Sequence, residues 1–203
     1  MAQIWAFKSA GAGSSTTTIA LPATYSVGDV LILITTTYSG FNATPSTGNY
    51  SLIYESTGKL KVYYKIATAS ESSVTVSNAS PQYGVILAYS NIVSSDVANS
   101  STGTSASAAN TNAVTTTQID DLVLSIFTRT IGASTWGTTP TSTTQRFSFN
   151  STVGFPGLFI CDENQSAVGT TATRTITTST SAAWCAGTVA FKQNSGNFFF
   201  NMM

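Results

Sequence analysis

Two adjacent carboxylate pairs, Asp120 with Asp121 and Asp162 with Glu163, are the residues of this 203-residue chain best suited to chemistry. Paired carboxylates hydrolyse glycosides when one protonates the leaving oxygen and the other attacks or activates water. Neighbouring residues of a strand project to opposite faces, so neither pair is set to flank one bond. Both pairs read instead as turns that open strands and as solvated edges. The chain contains no histidine. Without an imidazole there is no Ser-His-Asp or Cys-His arrangement, and Cys161 and Cys185 lack the usual activating partner. The expectation is a non-enzymatic protein with no catalytic residue.

Other candidates are weaker as chemistry and more informative as structure. Asp120, Asp121, Asp162 and Asn164 offer the oxygen ligands calcium prefers, but not with the spacing of a dedicated calcium loop, so neither a metal nor a cofactor is assigned. Cys161 and Cys185 both fall in strand-like runs and read as small buried hydrophobes, with a cross-strand disulfide as the alternative. Asp29 and Glu71 read as turn residues. Arg174, inside a Thr-rich strand, reads as an edge charge that discourages strand addition. Tyr38, Phe41 and Trp136 lie in loops, where aromatic faces suit contact with a glycan, although packing beneath their own loops is the plainer role. Finally, Phe198, Phe199, Phe200, Met202 and Met203 form an apolar run after a Gly- and Asn-rich stretch at 194–197. Such a run is poor surface chemistry unless it docks, and it reads as an assembly contact.

The elements that must carry these residues follow from composition. Ser and Thr make up 64 residues, charged residues only 8%, hydrophobic residues 42%, and the formal net charge is zero. Branched and aromatic side chains suit a pleated, half-buried surface, which points to strands and not helices. The hydrophobic content and the neutrality argue against disorder. Eight Lys and Arg spread along the chain make no basic stripe, so no nucleic-acid partner is expected. Residues 1–12 do not read as a secretory signal, and no run approaches the ~18 apolar residues of a membrane span.

The chain nearly repeats itself after Gln118. GDVLILI at 28–34 follows a Thr-rich strand at 16–21, and DDLVLSI at 120–126 follows VTTT at 114–117. Each block then enters a loop with an aromatic and a proline, Phe41 with Pro45 and Trp136 with Pro140. LKVYYKIA at 60–67 corresponds to GLFICD at 157–162, SSVTVSN at 72–78 to ATRTITT at 172–178, and YGVILAY at 83–89 to CAGTVAF at 185–191. Alternation in 60–67 marks a half-buried strand, and the continuous apolar run at 28–34 marks one covered on both faces. The expected fold is all-β, a jelly-roll-like sandwich of two pseudo-repeated four-strand halves. One domain spans 1–193, with halves 1–92 and 113–193 joined by a crossover loop at 93–112, and 194–203 form an apolar docking tail.

GDVLILI at 28–34, KVYYKIA at 61–67 with Glu71 and the VTV run at 74–76, and VILAYSNI at 85–92 together resemble the β-sandwich modules of tailed-bacteriophage virion proteins. The resemblance spans roughly 16–192. It departs at Ser90 and Asn91, where such modules commonly carry Arg-Gly. It implies a virion-surface component made in the host cytoplasm, part of the tail, baseplate or fibre. A capsid decoration (cement) protein is the alternative it leaves, beside a carbohydrate-binding surface adhesin. The implied partners are other virion proteins, copies of itself and a host surface glycan. No catalytic residue comes with the resemblance.

Overall fold

In the computed structural model, described for residues 5–38, 43–56, 59–77, 82–130 and 132–194, the chain is all-β, with no helix among the described residues. The first half forms β1 (Ala6–Ala10), β2 (Thr18–Ile19), β3 (Val30–Thr37), β4 (Thr44–Pro45), β5 (Ser51–Ser56), β6 (Leu60–Ile66), β7 (Val74–Ser77) and β8 (Gln82–Ser90). The second forms β9 (Ile92–Asn110), β10 (Thr115–Thr116), β11 (Asp121–Arg129), β12 (Thr144–Phe149), β13 (Gly157–Gln165), β14 (Gly169–Thr170) and β15 (Thr175–Gln193).

Two five-stranded antiparallel sheets dominate, ordered β1-β8-β3-β6-β5 and β12-β13-β11-β15-β9. The central strands are the two apolar runs, buried along their whole length. Val30, Ile32 and Ile34 of β3 share one hydrophobic cluster with Leu122, Leu124 and Ile126 of β11, so the sheets pack face to face on a common core. Strand pairing supplies every backbone partner these runs need, and burial of each large aliphatic side chain adds about 1.5 to 3 kcal/mol.

The outer faces are covered too, which explains why β3 and β11 lack alternation. Leu31 and Leu33 point away from the common core and pack with Ile19, Val74 and Val76, which belong to a small sheet ordered β2-β7-β4. Phe127, Phe159 and Cys161 pack with Ala109 and Ile176, from the far ends of β9 and β15.

Three expectations are corrected here. Residues 93–112 are not a crossover loop: β9 runs from Ile92 to Asn110 and pairs with β15 through most of its length. Its Ser, Ala and Asn side chains give no apolar rhythm, but β15 offers a free backbone ladder and small side chains do not obstruct it. Each half contributes five strands to its large sheet, not four. A jelly roll would distribute each half over both sheets, whereas here every strand of a large sheet comes from one half, in keeping with the tendency of near neighbours in sequence to pair. The tail residues Phe198, Phe199, Phe200, Met202 and Met203 lie outside the described residues, as does Phe41.

Candidate functional site

The carboxylates divide as strand geometry demands. On β13, Asp162 pairs with Leu124 and turns toward the common core, while Glu163 pairs with Val123 and turns outward. Asp162 is 2% exposed. Its Oδ2 accepts hydrogen bonds from the Tyr89 hydroxyl at 2.8 Å and from Arg146 Nε at 2.7 Å. The Arg146 guanidinium also sits over the Phe7 ring, 4.6 Å from its centroid. Burial raises the Asp162 pKa, and Arg146 and Tyr89 pull against that rise. Burial, then the Asp162 charge, lifts the Tyr89 hydroxyl well above its usual value, so it stays a proton donor.

Glu163 grips Arg174 on the other face, with Nε donating to Oε1 at 2.9 Å and Nη2 donating to Oε2. That hydrogen bond raises the Arg174 pKa above its ordinary value. Arg174 therefore works as half of a forked ion pair, and the backbone N–H beside it donates to Thr111 Oγ1. Asp120 sits in a left-handed turn with φ of 57° and accepts a hydrogen bond from Asn164 Nδ2. Asp29 accepts from the Ser26 backbone N–H, and Glu71 from Lys65 and from the Thr68 backbone and hydroxyl. Asp29 and Glu71 thus hold turns, as their positions suggest.

A carboxyl pair that the sequence does not announce lies at the end where β11 begins. Asp96 of β9 accepts from the Thr117 N–H and hydroxyl, each at 2.7 Å, and pairs with Lys192 at 3.2 Å. Asp121 is fully buried beside it. Burial first, and the neighbouring Asp96 next, push the Asp121 pKa up to about 7, with Lys192 opposing. Asp96 moves the other way, because the Thr117 and Lys192 hydrogen bonds outweigh its burial. The available signal was that Asp96 is the sole charged residue between 91 and 112. Arg129 is a second unannounced group, a buried cation held by the hydroxyls of Ser134 and Thr180, its pKa lowered by burial.

Cys161 and Cys185 are free and buried. They occupy β13 and β15, which flank β11 on opposite sides, and they belong to clusters on opposite faces of the sheet. No disulfide can join them in this arrangement. Burial pushes the Cys161 thiol up to about 11.

Of the three loop aromatics, Tyr38 is 44% exposed at the end of β3. Trp136 is half-buried against Phe159 and donates its indole N–H to the Phe149 carbonyl at 2.8 Å, so it packs under its own loop. Just beyond it opens a groove of about 420 Å³ between Thr138, Thr139, Pro140 and Thr141 on one side and Thr173, Arg174, Thr175 and Thr177 on the other. Its lining is a row of hydroxyls around a guanidinium whose charge Glu163 balances. Such a surface can hydrogen-bond a neutral, hydroxyl-rich ligand, while the nearest carboxylate is committed to Arg174. Among the described residues no group of three or more His, Cys, Asp or Glu gathers as a metal would need.

No protein-family model, no curated protein and no solved structure matches this chain.

Proposed function

We propose that this chain is a non-enzymatic structural and binding protein of a tailed-bacteriophage virion, part of the tail, baseplate or fibre. One observation carries the structural half of this reading: all eight carboxylates have internal roles. Glu55, Glu71, Asp96, Asp162 and Glu163 form ion pairs, Asp29 and Asp120 hold turns, and Asp121 is buried beside Asp96. A surface relieved of charge, rich in hydroxyls and backed by a doubly covered core suits a rigid building block. The virion half rests on the resemblance of 16–192 to phage sandwich modules, whose quoted runs coincide with β3, β6, β7 and β8.

The reading includes two pseudo-equivalent halves. β3, β6, β5, β8 and β1 take the same places in the first sheet as β11, β13, β12, β15 and β9 in the second. Ile32 and Leu124 then occupy matching positions, and Thr36 meets Thr128 hydroxyl to hydroxyl between the sheets at the same interval. Tyr89 and Phe191 correspond as partners of Val30 and Leu122. The apolar residues Phe198, Phe199, Phe200, Met202 and Met203 act as an assembly contact. The hydroxyl-lined groove favours glycan binding as a second role, with Trp136 a wall of the loop and Tyr38 remote from it in the strand order.

The test is imaging, at side-chain resolution, of purified particles from the host that carries the gene. Density for this sandwich in the tail supports the proposal; a full lattice on the capsid moves it to decoration. A protein absent from particles overturns it. Incubation with host surface glycans should release no oligosaccharide, and release that disappears in Asp121→Asn or Glu163→Gln would end the non-enzymatic reading.

A further inference from the structure

Large apolar side chains left exposed are not scattered evenly over this molecule. Val27, Ile66, Val93, Ile119 and Val168 are each at least 41% exposed, and all five lie at the pole where β3 and β11 begin. Val27 is in the turn before β3, and Ile66 ends β6 opposite Val30. Val93 sits at the irregularity between the Ile92–Gln193 and Ser94–Lys192 pairs. Ile119 follows Gln118, whose side chain donates to the Gln193 carbonyl. Val168 lies just past Gln165, the partner of Asp121. The two sheets share this pole, because Tyr64 near the end of β6 meets Phe191 near the end of β15. Single exposed aliphatics are ordinary, but five around one end make a surface that calls for cover.

The described chain also leaves the sandwich at this pole. The Asn194 N–H donates to the Asn91 carbonyl at 2.7 Å, and the sequence continues for nine residues, through Ser195, Gly196 and Asn197, into FFFNMM at 198–203. Nine residues reach at most roughly 30 Å, enough to cross the pole or to pass onto one facing it.

We propose that two copies of this chain pair pole to pole, each laying residues 198–203 across Val93, Ile119, Val168, Ile66 and Val27 of the other. The proposal rests on the reading of those residues as an assembly contact and names the surface that receives them. Tail and receiving surface share one pole, so a twofold axis makes the contact self-complementary and closes it at two copies. At this pole Lys192 pairs with Asp96 and Lys65 with Glu71, and Asp120 beside Ile119 accepts a hydrogen bond from Asn164. Each Phe buries about 150 Å² or more, so the six Phe of two tails bury about 900 Å². With the surface they cover, the total reaches the roughly 1,200 to 2,000 Å² of a stable interface.

Sedimentation velocity at micromolar concentration tests this with three proteins: the full chain, a chain lacking residues 198–203, and the full chain carrying Ile119→Asp with Val168→Asp. The expected result is a dimer for the first and monomers for the other two, each still unfolding in one cooperative transition. A truncated chain that still dimerises refutes both the assembly reading and the pole. Loss of the dimer on truncation but not in the double variant leaves the assembly reading standing and refutes the pole. A monomeric full chain whose truncation increases binding of a hydrophobic dye shows the tail folded on its own pole and overturns the pairing.

Discussion

Replacing Asp121 by Asn should stabilise this protein at alkaline pH, and the reason lies in its burial beside Asp96. An ordinary aspartate titrates near 3.8, and here burial and the Asp96 charge hold the proton on until about 7. The native state therefore binds more protons than the unfolded chain between those values. The contribution of Asp121 to stability is greatest below about 4, falls as pH rises through the window, and is lowest above about 7. Each tenfold gain in proton affinity is worth about 1.4 kcal/mol, so the rise from the ordinary value sets an upper bound of about 4 kcal/mol on the loss. Asp96 does not obscure this, because its own pKa is lowered and its contribution disappears only as pH falls below the usual carboxylate range. Asp162 is raised as well and adds a loss of the same sign, so the variant must be compared with the unaltered protein at each pH.

The assay is urea unfolding at pH 5, 6, 7 and 8. Asn keeps the shape of Asp, carries no charge and can donate to Asp96. The expected result is an advantage for the variant that grows from pH 5 to about pH 7, by up to about 3 kcal/mol, and then levels off. A difference that stays constant across the range, or a variant less stable at pH 8, would refute the claim that a protonated Asp121 is built into the fold.

Arg146→Met leaves Asp162 buried and unpaired, and should cost about 3 to 5 kcal/mol at neutral pH by thermal or urea unfolding. Adding Asp162→Asn to it should recover part of that loss. Gly11→Ala places a methyl group 2.6 Å from the Ala20 carbonyl oxygen, which belongs to backbone and cannot swing aside. A loss of about 1 to 3 kcal/mol is expected, read as a lower urea midpoint with unchanged slope. Both thiols should resist a thiol reagent at pH 8 in the native protein and react together in denaturant, with no change on prior reduction. Rapid native labelling of either would contradict its burial.

The residues read most correctly from sequence are those whose side chains announce two covered faces or one. The runs at 28–34 and 120–126 became β3 and β11, and those at 60–67, 83–89, 157–162 and 185–191 became the strands beside them. The turn roles of Asp29 and Glu71 were legible because the acceptor lies within a few residues of its donor. The Asp96–Asp121 pair was not, because its two members are 25 residues apart and are brought together by the pairing of β9 with β15 and of β15 with β11. Arg174 reads from sequence as a charge inside a strand, whereas it lies just before β15 and pairs with Glu163, a contact across the sheet that leaves no local trace.

What escaped the sequence reading has one physical cause. β1, β5, β9 and β12 carried no strand assignment, and these are the four edges of the two large sheets. A central strand is fixed by ladders on both sides and by cover on both faces, so its side chains must be apolar and its pattern is plain. An edge strand is held by one ladder and faces solvent with much of its surface, so its composition is free to drift toward Ser, Asn and charge, as in SLIYES at 51–56 and TQRFSF at 144–149. β9 takes this furthest, with Asp96 its sole charged residue over 19 residues. The same freedom lets charged contacts settle on edges: the Asp96 contact, the Arg146 grip on Asp162 and the Phe7 ring beneath that guanidinium all come from edge strands. The contact of Arg146 with Phe7 thus ties the two sheets together at a rim while the Asp96 contact stays within the second half, and sequence pattern is least able to find either.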